Sequence, residues 1–182
     1  LKDRVKGKCD DEVVRKLELV MKQAEVTPDI FPAVAASLKR EKDTKGPAGA
    51  MILPDGRIIT GKGSSLLSAC SAAVLNAIKV LADIPKAALL MSPAVLQPVI
   101  ALKTNLLNSH SSALKLDDTL TALYICAATD ETVARAVAQL PNLRGCEIHS
   151  TQILHSGDES ILRKLRMNLT CEPEFPARTI LY

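Results

Sequence analysis

Apolar residues recur along this chain in two rhythms, a helical one that opens the chain and a short, strand-like one that alternates with further helices from about Ala48 onward. From Asp10 to Ala24 the residues Val13, Val14, Leu17, Val20 and Met21 fall at helical spacing, and Asp10, Asp11 and Glu12 crowd the start, where a helix dipole favours anions. Thr27 followed by Pro28 has the form of an N-cap with proline in the first turn, which predicts a second helix through about Leu38. Residues 1–45 are therefore expected to form a helical arm or linker, ending in the charged stretch Lys39 to Lys45.

From Gly46 onward the pattern shortens. Ala48 to Leu53 and Arg57 to Thr60 are aliphatic or β-branched segments flanking Pro54-Asp55-Gly56, a turn sequence that predicts a β-hairpin. Ser64 to about Leu81 is apolar on most sides and reads as a buried helix. Ala87 to Met91 reads as a short strand, and Ser92-Pro93 as the start of a helix to Leu107 that Pro98 should kink or delay. After a polar loop from Asn105 to Lys115, helices are expected at Asp117 to Ala128 and Glu131 to Leu140, with Asp130 as the cap between them. The end of the chain reads as a βαβ unit: a strand from Cys146 to Leu154, a capping box from Ser156 to Glu159, a helix to Arg166 and a strand from Asn168 to Cys171. Residues 46–182 are thus expected to form an α/β domain, a mixed sheet of about five strands covered by helices.

Composition narrows the function classes. With 182 residues, 47% of them hydrophobic and 24% charged, the chain can build one domain with a sizeable core. Only two Phe, two Tyr and no Trp are present, too few to stack nucleic-acid bases, and the net charge of +3 comes from basic residues interleaved with acids, so no nucleic-acid partner is expected. No apolar run reaches the length of about 18 residues that a membrane span needs, so no membrane partner is expected either. Cys9, Cys70, Cys126, Cys146 and Cys171 are odd in number and lack metal-binding spacing, which predicts free thiols and a cytoplasmic location.

The polar residues offer few sites. Gly56 to Lys62 has the glycine and lysine spacing of a phosphate-binding loop, but Gly63 stands where a Ser or Thr should bind magnesium, and Ile58 and Ile59 read as strand. Gly61, Lys62, Gly63, Ser64 and Ser65, running directly into the expected helix, form a candidate anion site, although helix capping by Ser64 or Ser65 explains the serines equally well. His149 is a candidate base or phosphate ligand, sharing a sheet face with Thr151 while Ser150 takes the other, against the plainer reading of a hydrogen-bonded structural histidine. Asp117 is a candidate acid or base beside Asp118, but neighbours on a helix diverge and both suit a helix start. Cys70 and Ser71 have no histidine near them in sequence. No metal site is expected, and no cofactor can be named.

Three ordered blocks carry a resemblance: Leu-Pro-Asp-Gly-Arg-Ile-Ile-Thr-Gly-Lys (53–62), Leu-Arg-Gly-Cys-Glu-Ile-His-Ser-Thr (143–151) and Asn-Leu-Thr-Cys-Glu-Pro (168–173). Together they resemble the C-terminal region of the DUF1846 (UPF0371) family, whose activity is not established. The resemblance implies a larger protein with a Gly-rich, phosphate-loop-like segment upstream, and an upstream region of the same chain as a partner. This chain departs from the family pattern at Gly63, Ala113 and Lys115. The functional expectation is a contribution to a pocket for a small phosphorylated or otherwise anionic ligand. The alternative is a packing module that self-associates through its aliphatic helices.

Overall fold

The computed structural model describes residues 1–27, 30–109 and 111–175. Its frame grows from the expected hairpin: β1 (Ala48–Ile52) and β2 (Ile58–Lys62) pair antiparallel with Ala50 opposite Thr60. The turn closes because Gly56 takes a φ of 84°, which strains any other residue, and because Asp55 accepts the Arg57 N–H while pairing with its guanidinium. β3 (Glu147–Ser150) lies antiparallel on the other side of β1, and β4 (Asn168–Cys171) lies parallel to β3. The sheet is mixed, in the order β2-β1-β3-β4.

Among the described residues that sheet has four strands rather than about five. The missing one is Ala87 to Met91, which forms turns instead. Its Leu90 and Met91 are buried like strand residues, but the carbonyls of Lys86 and Ala88 accept hydrogen bonds from the Lys79 ammonium rather than from a neighbouring strand. The run thus buries aliphatic side chains without a ladder, with two carbonyls at its start held by one ammonium.

Each sheet face has its own cover. α3 (Pro32–Thr44) starts with Pro32 in its first turn, after Phe31, and buries Ala33, Val34 and Ser37. The Thr151 hydroxyl fixes it to the sheet by donating to Glu41 while accepting the Ala48 N–H. α3, expected from the sequence to belong to an arm, packs on the sheet, and Pro28, expected in its first turn, lies outside the described residues. α1 (Lys2–Val5) buries none of its residues, and α2 (Asp11–Gln23) buries Val14 alone. Asp10 caps α2 as its position predicts, accepting from the Val13 N–H.

The opposite face carries α4 (Ala69–Leu81), α5 (Pro93–Ala101), α6 (Leu116–Ala127), α7 (Glu131–Val137) and α8 (Ser156–Lys164). Met51 and Ile148 from the sheet meet Val74, Ile78, Leu116, Leu123, Leu143 and Leu162 in the main core. α4 comes closest. Gly49 and Gly61 are register partners beneath its first turns, and a Cβ built on Gly61 would stand 2.2 Å from the Ala73 nitrogen. Pro98 is accommodated inside α5, and the irregularity appears after it, where Leu102–Leu106 winds as a π-helix. Asp130 caps α7 with two backbone N–H groups. The βαβ unit forms, but its strand stops at Ser150, whose hydroxyl turns the chain by bonding to Gln152.

Candidate functional site

β2, β3 and β4 all point their carboxyl ends toward one edge of the sheet, because each runs opposite to β1. Open α/β sheets bind ligands in the crevice at that edge. A cleft of about 370 Å³ lies there, lined by Gly63 and Ser64 after β2, Ser68 and Ala69 at the start of α4, Ser150 at the end of β3, and Asp158 in α8.

The first wall comes from the chain between β2 and α4. Ser64 does not open the helix, as the sequence led one to expect. Its hydroxyl accepts from the Leu66 and Leu67 N–H groups in a local turn, Leu67 bridges to Leu114, and the helix starts only at Ala69. Ser68 is the true cap, accepting from the Ser71 N–H. The N–H groups of Ala69 and Cys70 have no acceptor among the described residues, as expected of the first positions of a helix.

The expected anion site is accordingly divided. Gly63 and Ser64 line the cleft, while Ser65 is exposed outside it and only its carbonyl is used, by the Ser112 hydroxyl. Gly61 is a packing residue under α4. Since the Cα–Cβ direction of Gly61 faces α4, strand alternation sends Lys62 to the α3 face, away from the cleft. Its position also rules out a phosphate loop, which requires a helix directly after the lysine.

The second wall brings two helix starts together. Asp158 is 2% exposed, and its Oδ1 accepts the Leu116 N–H at 2.6 Å, so a residue of α8 serves the first turn of α6. Burial pushes the Asp158 pKa up, against the lowering effect of that N–H, and the nearby Asp117 carboxylate adds to the rise. Asp117 itself is exposed and leans toward the start of α8, its Oδ2 3.7 Å from where a Gly157 Cβ would stand. Asp118 points elsewhere: it pairs with the buried Lys103 at 2.6 Å and accepts the Lys115 N–H. Asp117 and Asp118 therefore do not form a paired carboxylate site. α8 has His155 at its N-cap with no side-chain capping bond, and the expected capping box is not made. Glu159 instead takes Lys2 at 3.0 Å, Arg163 at 2.9 Å and Lys6 at 3.7 Å, and the Lys2 and Arg163 bonds bring its pKa down to about 2.

His149 lies on the other side of the sheet from the cleft. It is 3% exposed, with Nδ1 2.8 Å from the Thr170 hydroxyl. Nε2 is 3.2 Å from Glu172 Oε1, yet out of line for a hydrogen bond. Burial pushes the His149 pKa below its ordinary value, with Glu172 acting in the opposite sense. The side chain ties β3 to β4, and Thr151 beside it on the same face ties β3 to α3. Ser150, on the opposite face as alternation requires, is the one residue of the three in the cleft. Cys70 follows the cap of α4; it is fully buried, and burial raises its thiol pKa to about 12, which makes it inert as a nucleophile. All five cysteines are free. Asp158 and Ser68 were missed by sequence reasoning; Ser68, directly ahead of the apolar run 69–81, carried a capping signal that Ser64 and Ser65 obscured.

No helix of the described residues is long and apolar enough to cross a membrane. A family profile described as "Domain of unknown function DUF1846, C-terminal" matches residues 29–182. The chain is 40% identical over 185 aligned positions to a UPF0371 protein of Clostridioides difficile (strain 630), covering 97% of this chain and 37% of the relative. It is 41% identical to a UPF0371 protein of Corynebacterium efficiens, covering 99% and 36%, and 38% identical to one of Clostridium tetani, covering 97% and 37%. The chain thus spans little more than a third of the length of these relatives. By the matched profile and by these identities across nearly its whole length, the chain belongs to the DUF1846 (UPF0371) family of uncharacterised proteins.

Proposed function

We propose that this region supplies one wall of a small-molecule pocket, and that its ligand is a phosphorylated polyhydroxyl compound of the sugar-phosphate or nucleoside-phosphate class. The observation that carries the reading is the cleft itself, in which the unpaired N–H of Ala69 and the Ser64 and Ser68 turns share one lining with Ser150 and the buried Asp158. A helix start with unpaired donors suits a phosphate group. A buried carboxylate repels a second anion but accepts hydrogen bonds from hydroxyl groups, so the backbone donors and the carboxylate select different parts of one molecule. The anion is held by backbone donors and serines, without Lys62.

Titration of inorganic phosphate, ribose phosphate and free ribose at matched ionic strength, followed by backbone amide resonances, tests the assignment. Phosphate and ribose phosphate should shift Ser64, Ser68, Ala69 and Cys70, and only the sugar compounds should shift Ser150 and Asp158. A helix start alone favours an anion by about 0.3–1 kcal/mol, against about 4 kcal/mol for a dissociation constant of 1 mM, so this wall by itself should bind no more tightly than about 1 mM. Ser68→Asp keeps a good capping side chain but places a fixed negative charge in the phosphate end. It should abolish the phosphate shifts while leaving thermal stability within about 0.5 kcal/mol of the parent. Equal binding by the parent and Ser68→Asp, or no response to any of the three compounds, would overturn the assignment.

A further inference from the structure

We infer that the exposed apolar stripe of α2 is the seat of the region that precedes this segment in the longer proteins of the family. Val13, Leu17 and Val20 recur at helical spacing on one side of α2 and are 44%, 58% and 59% exposed. Val14, a quarter-turn away, is buried at 7%. The helix therefore turns one edge of its apolar face to the body of the fold and leaves the rest bare, an arrangement that costs solubility unless another surface covers it.

Three observations choose the occupant. The chain covers 36–38% of the length of the relatives it matches, so most of a typical family member lies outside this segment. The matched profile is the C-terminal one and begins at residue 29, so α2, ending at Gln23, stands on the upstream side of that boundary. Within those relatives the alignment nevertheless includes 97–99% of this chain, so α2 is part of their shared architecture and not an unrelated tail. The arm is also held in a defined place: Lys2 and Lys6, in and just after α1, converge on the Glu159 carboxylate of α8. A helix seated on the fold through Val14, with a bare apolar edge at the junction between two regions, is a docking element rather than a tether.

The test uses a full-length family protein carrying this segment and the 182-residue chain alone. Leu17→Glu with Val20→Glu places two charges on the stripe, and Leu19→Glu, at a site 56% exposed but on another side of the helix, is the control. In the full-length protein the double variant should speed amide exchange in α2 and proteolysis between the two regions at least tenfold, and Leu19→Glu should change neither. The isolated chain should be monomeric, with the same melting temperature in parent and double variant, because the stripe is solvent-exposed there. Amides of α2 should exchange at least tenfold faster in the isolated chain than in the full-length parent. An unmoved full-length double variant overturns the inference. So does a parent chain that dimerises alone and is made monomeric by the substitutions, which would assign the stripe to a second copy. Unfolding of the isolated chain by the double variant also overturns it, since the stripe would then be packed within this segment.

Discussion

The clearest separation between a binding glycine and a packing glycine comes from Gly61→Ala. A Cβ at this position would stand 2.2 Å from the Ala73 nitrogen, 2.6 Å from the Ala69 carbonyl oxygen and 2.7 Å from the Ala72 carbonyl carbon. All three belong to the α4 backbone, so relief requires moving the whole helix off the sheet rather than turning a side chain. Overpacking a core costs about 1–3 kcal/mol and occasionally more, and a clash with helix backbone belongs at the upper end. Replacing glycine in a strand returns about 0.5–1 kcal/mol through the unfolded chain, leaving a net loss of about 2–3 kcal/mol. At roughly 2–4 °C per kcal/mol for a chain of this size, the melting temperature should fall by about 4–12 °C. Gly49→Ala is the internal standard. Its Cβ would lie 3.4 Å from the Ala69 oxygen, so its cost should stay below about 1 kcal/mol. Urea and thermal unfolding of the three proteins, with phosphate titrated into each, provides the comparison. If Gly61→Ala is as stable as the parent but no longer binds phosphate, the packing argument fails and Gly61 is returned to the anion site.

The remaining expectations concern titration and buried polar groups. His149 has a native pKa below the ordinary 6.5, so the unfolded chain takes up more protons as pH falls through 6.5. Stability should therefore drop from about pH 7 downward and level off below the native pKa, and His149→Gln should flatten that slope in urea midpoints measured between pH 5 and 8. Glu159 has the opposite sense: its native pKa of about 2, against an ordinary 4.5, gives stability that is present above pH 4.5 and lost toward pH 2. Glu159→Gln should cost about 1 kcal/mol at neutral pH, release α1 in amide exchange, and differ little from the parent at about pH 2. Lys79→Ala strands the Lys86 and Ala88 carbonyls and should cost about 2–4 kcal/mol, measured by urea unfolding; a loss under 0.5 kcal/mol would show that this ammonium does not organise the loop.

Local signals carried the parts of this fold that the sequence disclosed. Pro54-Asp55-Gly56 dictates its turn through Gly56 and the Asp55 carboxylate, and Asp10 and Asp130 cap their helices with no help from distant residues. The βαβ unit at the end of the chain is legible for the same reason. Where the reading failed, a distant contact decided. Ala87 to Met91 has a strand's composition, but Lys79 from α4 takes the Lys86 and Ala88 carbonyls where the run begins. α3 looks like an extension of α2 until Thr151, far along the chain, bonds Glu41.

The candidate site was less legible than the fold because its residues are defined by which helix start they meet, and those meetings are tertiary. Ser64, Ser65 and Ser68 are all acceptable caps by composition; the Leu67 to Leu114 bridge decides, by holding the end of the Ser64 turn against the loop before α6 and delaying the helix to Ala69. Gly61 and Lys62 belong to a glycine-lysine run that resembles a phosphate cradle, yet once the hairpin forms the pair must face opposite ways, one under α4 and one toward α3. Asp158 looks like an ordinary acidic residue in a first turn. Its buried carboxylate instead reaches the Leu116 N–H of another helix, and so joins the α8 wall of the cleft to the α6 start. Removing it should therefore affect two helix starts at once: Asp158→Asn can still accept the Leu116 N–H and should retain the fold, whereas Asp158→Ala leaves that N–H buried without a partner, at a cost of about 1–3 kcal/mol. A carboxylate needed for ligand hydroxyls should make Asp158→Asn weaken ribose phosphate binding while sparing inorganic phosphate. Equal weakening of both would place Asp158 in the frame of the cleft rather than in its recognition chemistry.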